Sequence, residues 1–97
     1  MKQVRIIGAM KLDEFARRHA RARKSLANWE KAVRSAAWKN AEEMKRTFNS
    51  VDYDHPKTIF NIAGNNLRLI ALVDFKKQLV QVADVMTHAE YDEGRWK

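Results

Sequence analysis

The chain has 97 residues, 45% of them hydrophobic, which is one domain with one modest core and too little chain for a second. It carries no cysteine, so nothing in it calls for an oxidising compartment, an iron–sulfur cluster or a thiolate zinc site. The formal net charge of +7 is uneven: residues 1–50 hold 13 Lys and Arg against 5 Asp and Glu, and residues 51–97 hold 6 against 7. A basic half on a small domain suits phosphate backbones or an acidic protein partner, and equally suits solvated helix faces. No apolar run approaches the ~20 residues needed to span a bilayer. Met1 to Met10 lacks the apolar region of a signal peptide, so a soluble cytoplasmic protein is expected.

Gln3 to Ile7 reads as a short strand closed by Gly8. Leu12, Phe15, Ala16 and His19 then recur at helical spacing, which predicts a helix with His19 packed or partly covered. Arg17, Arg18, Arg21, Arg23 and Lys24 form the densest positive patch, across the end of that helix and the start of the next. The second helix is expected from about Ser25, as N-cap, to Trp38. Its apolar stripe is Leu26, Trp29, Val33 and Ala36 or Ala37. Trp29 and Trp38 can stack on bases, but at this spacing they read as core. Asn40, with Glu43 three residues on, starts a third helix whose Met44 and Phe48 pair at i,i+4. Residues 49–56 are rich in turn formers and end in Pro56, so they read as a loop with His55 exposed and without a role.

The second half has strand character. Thr58 to Ala63, Leu67 to Phe75 and Gln78 to Met86 read as three consecutive antiparallel strands. Gly64-Asn65-Asn66 makes the first turn and Lys76-Lys77 the second. The strands are nearly continuous in apolar residues, which predicts a sheet covered on both faces over part of its length, with helices on one side. Asn61, Arg68 and Asp84 interrupt them. Arg68 shares a face with Ile70 and Leu72, at the margin of covered surface. There its guanidinium can clamp a phosphate or pair with Asp84. Thr87 and Glu90 are spaced as a capping box, so a short helix begins at His88 directly after the last strand. His88 and Tyr91 fall on one face of it, placed for proton transfer or for gripping a base, or simply packed on the sheet.

Two stretches carry a resemblance. Phe60 to Leu69, FNIAGNNLRL, and Met86 to Asp92, MTHAEYD, together resemble the HigB family of toxins from bacterial toxin–antitoxin systems, as does Trp38-Lys39-Asn40. The resemblance spans nearly the whole chain, 1–97, in element order, and implies one domain of the RelE-like superfamily. The fold class it implies is α+β: a small antiparallel sheet, mixed with the N-terminal strand, on a helical hairpin. It implies an endoribonuclease that cleaves mRNA, typically on translating ribosomes, and is neutralised by a HigA-like helix-turn-helix antitoxin, with no membrane and no cofactor. Carried over by motif position, His88, Arg68 and Tyr91 are the expected catalytic set. Lys57, Asn61, Lys76 and Lys77 are the expected nucleic-acid contacts. Ala63 stands where many relatives have Gly, Leu67 where an aromatic is common, and Glu93 to Lys97 has no counterpart.

Metal-free RNA cleavage uses the adjacent 2′-hydroxyl and needs a base, an acid and cations for the phosphorane. An imidazole with an ordinary pKa of about 6.5 serves either proton role, and Arg68 and Lys57 hold the phosphate. No carboxylate cluster suggests magnesium and three scattered histidines do not suggest zinc, so a metal-independent nuclease is expected. Two other classes compete. One is a non-catalytic basic module that binds RNA or a partner, and the other is a gyrase-poisoning toxin of the same superfamily. Rapid translation arrest with mRNA fragments would separate the nuclease from the gyrase poison, which would induce DNA damage.

Overall fold

The computed structural model describes residues 3–63, 66–94 and 96. Strand β1 is Arg5–Ile7, helix α1 Met10–Arg18 and helix α2 Arg23–Arg34, with a 3-10 turn at Ala20–Ala22 between the helices. Helix α3 is Ala41–Thr47, followed by β2 Val51–Asp54, β3 Lys57–Ile62, β4 Leu67–Asp74, β5 Leu79–Thr87 and helix α4 His88–Asp92. Among the described residues the strands form one sheet in the order β1-β5-β4-β3-β2. β1 runs parallel to β5 and the other pairs are antiparallel. This is the expected α+β class, with a mixed sheet and a helical hairpin on one face.

The alternation of the strands sorts the core into two. On the helix side, Phe60, Ile62, Leu67, Leu69, Ala71, Val80 and Val82 meet Leu12 and Phe15 of α1 and Leu26, Trp29 and Val33 of α2. Trp29, Trp38, Phe48 and Phe60 pack there edge to face or tilted, which assigns both early tryptophans to the core. Trp38 Nε1 donates to Thr47 Oγ1 at 3.0 Å, so its polar end is satisfied. On the opposite face a smaller cluster of Ile59, Ile70 and Met86 is covered by Tyr91 and Trp96. Both faces are covered, as the unbroken apolar strands predicted.

Three local expectations are corrected. α2 begins at Arg23 and ends at Arg34, so Ser25 lies inside it and Trp38 beyond it. The Ala36 carbonyl accepts from Val4 N at 2.9 Å, and the chain turns there to send Trp38 inward. Residues 49–56 are not all loop: Val51–Asp54 pairs with β3, Val51 opposite Phe60 and Asp54 opposite Lys57, and Pro56 sits in the turn, where it withholds no ladder donor. His19 is exposed rather than covered, with its ring stacked on Phe15 at 4.3 Å. Asn40 caps α3 as expected, its side chain accepting from Glu43 N at 3.0 Å. Of the turn at Gly64-Asn65-Asn66, the first two residues lie outside the described residues. Ala63, just before it, takes a φ of 58°, a left-handed conformation that favours glycine.

Candidate active site

β5 passes into α4 without a connecting loop, and local hydrogen bonds fix the handover. Glu90 N donates to Thr87 Oγ1 at 3.2 Å and Thr87 N donates to Glu90 Oε1 at 3.0 Å, the reciprocal pair that the spacing predicted. His88 N donates to Asn66 O at 2.9 Å, which ties the helix start to the approach of β4. Gly94, with a φ of 80°, closes the helix and its N–H reaches the Tyr91 carbonyl at 3.0 Å.

This first turn presents His88. Its Nδ1 lies 2.8 Å from Asp92 Oδ2, one helical turn on, and its side chain is 43% exposed. The contact holds the proton on Nδ1 and leaves Nε2 as the ring's other working atom.

Tyr91, three residues along, lies over the sheet. The Arg68 guanidinium sits beneath its ring, 5.4 Å from the centroid. Arg68 pairs across the ladders with Met86 on β5 and Asn61 on β3, so His88, Tyr91, Arg68 and Asn61 gather at one end of the sheet. Arg68 is 6% exposed, and its Nη1 donates to Leu67 O at 3.1 Å. That corrects the expectation of a position at the margin of the covered surface: the Tyr91 ring lies over it. The Tyr91 hydroxyl is held above the ordinary phenol pKa, first by burial and then by Asp52, with smaller effects of Asp54 and Asp92, while Arg68 pulls the other way.

Lys57, at the start of β3, reaches the same cover. Its Nζ donates to the Trp96 carbonyl at 2.7 Å and lies 5.4 Å from the Trp96 ring centroid. Trp96 stacks on Tyr91 at 4.9 Å with planes 9° apart, and its Nε1 donates to the Tyr91 carbonyl at 3.1 Å. Asn61 turns its amide toward β2, donating to Ser50 Oγ at 2.7 Å and, at 3.4 Å, to Asp52 Oδ2. Lys76 and Lys77 are not brought here. They occupy the exposed turn at the far end of β4, which spans about 25 Å at strand rise. There Lys77 lines a cavity of about 450 Å³ with Arg5 and Arg34.

Four contributors had no role assigned from sequence. Asp92 is four residues after His88, a spacing legible on any helix. Asp52 and Asp54 were hidden in residues read as loop. Trp96 lies in the C-terminal tail, beyond the last helix. Beside the helix start, a crevice of about 260 Å³ is lined by His19, Arg21, Ala22, Ala63, Asn66, Leu67 and Thr87, so the basic elbow of α1 and α2 borders this end of the sheet. Among the described residues no group of three or more His, Asp or Glu is placed to hold a metal ion.

An imidazole on a capped turn, near cations and an aromatic ring at one end of a small mixed sheet, can move a proton and hold a phosphate. The profile of the HigB toxin family, described as the RelE-like toxic component of a toxin–antitoxin system, matches residues 22–94. The chain is 32% identical over 84 residues to the mRNA interferase toxin HigB of Escherichia coli strain K12, covering 84% of this chain and 81% of that protein. The same figures hold for the mRNA interferase HigB of Shigella flexneri. A further mRNA interferase HigB, from Escherichia coli O6:H1, is 29% identical over 90 residues, covering 90% of this chain and 87% of its own. The chain belongs to the HigB toxin family.

Proposed function

We propose that this toxin is an endoribonuclease that cleaves mRNA on the ribosome, in the cytoplasm, until a HigA-like antitoxin covers it. The observation that carries the reading is His88: its Nδ1 is 2.8 Å from Asp92 Oδ2, its side chain is 43% exposed, and it starts the short helix whose Tyr91 ring lies over Arg68. The similar proteins are named as mRNA interferases, which agrees with this chemistry.

His88 Nε2 takes the proton of the 2′-hydroxyl, whose oxygen attacks the adjacent phosphorus. The bond to the 5′ oxygen breaks and the imidazolium returns the proton to that leaving oxygen. Asp92 steadies the imidazolium while it carries the charge. Tyr91 keeps its proton at neutral pH, so it offers a ring for a base and a donor for a phosphate oxygen rather than a phenolate. Lys57 and Arg68 supply the positive charge that the phosphorane requires, and Asn61 lies next to Arg68 in register. No step requires a metal. Lys76 and Lys77, remote from the chemistry, are proposed as outer contacts with the nucleic acid.

Cleavage of a model mRNA in excess EDTA tests this directly, run with and without ribosomes. The expected outcome is full cleavage leaving 2′,3′-cyclic phosphate ends, with ribosomes accelerating it. Loss of cleavage in EDTA contradicts the metal-free step. One observation favours a binding module without chemistry, namely the burial of Arg68. That reading requires His88→Ala to remain fully toxic.

A further inference from the structure

Trp96 engages the groups of the site that RNA would need. Its indole lies flat on Tyr91, its backbone carbonyl accepts from the Lys57 ammonium, and with Tyr91 it completes the cover over the face that contains Arg68. A flat aromatic ring on Tyr91 stands where a base would stack, and an oxygen on Lys57 stands where a phosphate oxygen would bind. The indole N–H fixes the pose by donating to the Tyr91 carbonyl at 3.1 Å. Gly94, in the left-handed region with a φ of 80°, turns the chain back over this face after α4. A glycine there is also the residue that most freely turns it away.

We propose that Trp96 is an internal mimic of one nucleotide, its ring for the base and its carbonyl for the phosphate, and that RNA must displace it to reach Tyr91, Lys57 and Arg68. The inference rests on the reading of this face as the RNA-cleaving site. The seated Trp96 lowers the apparent affinity by the fraction of molecules in which the face is open. Removing the indole therefore tightens binding, whereas removing an ordinary substrate-contacting aromatic weakens it.

The probe is a short, dye-labelled 2′-O-methyl RNA, which lacks the attacking hydroxyl and so stays intact. Its affinity is measured for the full chain and for the Trp96→Ala and Trp96→Phe variants. The expected result is about 3- to 10-fold tighter binding by Trp96→Ala and near wild-type affinity for Trp96→Phe, which keeps a stacking ring. Acrylamide quenching of tryptophan emission in the unaltered protein gives a second reading that needs no variant. Saturating RNA should increase the quenched fraction, because Trp29 and Trp38 are buried at 3% and 4% exposure while Trp96 is released. Unchanged or weaker binding by Trp96→Ala, or quenching unaffected by RNA, overturns the mimic. Failure of the unaltered protein and both variants to bind RNA at all overturns the reading of the site itself.

Discussion

Tyr91 sits among groups that pull its hydroxyl in opposite directions. Burial, Asp52, Asp54 and Asp92 favour the neutral phenol, and Arg68 favours the phenolate, with the neutral form winning. The folded-state pKa is thus above that of the unfolded chain. The stability this contributes is complete below the unfolded value of about 10 and is lost as pH rises through the higher folded value. The unfolding midpoint in urea should therefore fall on raising the pH above about 10, and Tyr91→Phe should flatten that decline. An equally steep decline in Tyr91→Phe contradicts the assignment. The placing of His88 and Tyr91 on one short helix after the Arg68 hairpin was legible from motif and spacing, because both are local properties of the chain. The burial of Arg68 was not, since it depends on a tyrosine more than 20 residues away in sequence folding over it.

At the level of elements, the same division holds. The start of α4 was legible because Thr87 and Glu90 satisfy each other within four residues. The end of α2 was not, because a hydrogen bond from Val4, at the other end of the fold's first half, sets it. β2 was missed because an edge strand of Val, Asp, Tyr and Asp has the composition of a turn, and its partner β3 supplies what its own sequence lacks. Gly8, read as a strand stop, does more. It turns β1 toward α1 with a φ of 84°, and a Cβ there would lie 2.8 Å from the Val82 carbonyl oxygen. Backbone cannot yield as a flexible side chain does, so Gly8→Ala should cost about 2 kcal/mol or more in urea denaturation. A cost under about 0.5 kcal/mol contradicts the close approach of β1 and β5.

For the molecule as a whole, the basic elbow and the proposed chemistry share one end. Arg17, Arg18, Arg21, Arg23 and Lys24 are all exposed on the elbow of α1 and α2, and the crevice from His19 and Arg21 to Thr87 links that elbow to the start of α4. An RNA strand crossing this surface would meet several cations before reaching His88. With about four phosphates contacted, binding should weaken roughly 50-fold between 50 and 200 mM salt. Nearly salt-independent binding would place the RNA elsewhere. The account as a whole turns on whether His88 moves a proton. Single-turnover cleavage of RNA by the purified toxin and by His88→Ala, both shown to be folded and to bind the antitoxin, decides it. The account predicts that the variant cleaves at least about 100-fold more slowly; a variant that cleaves at the unaltered rate contradicts it.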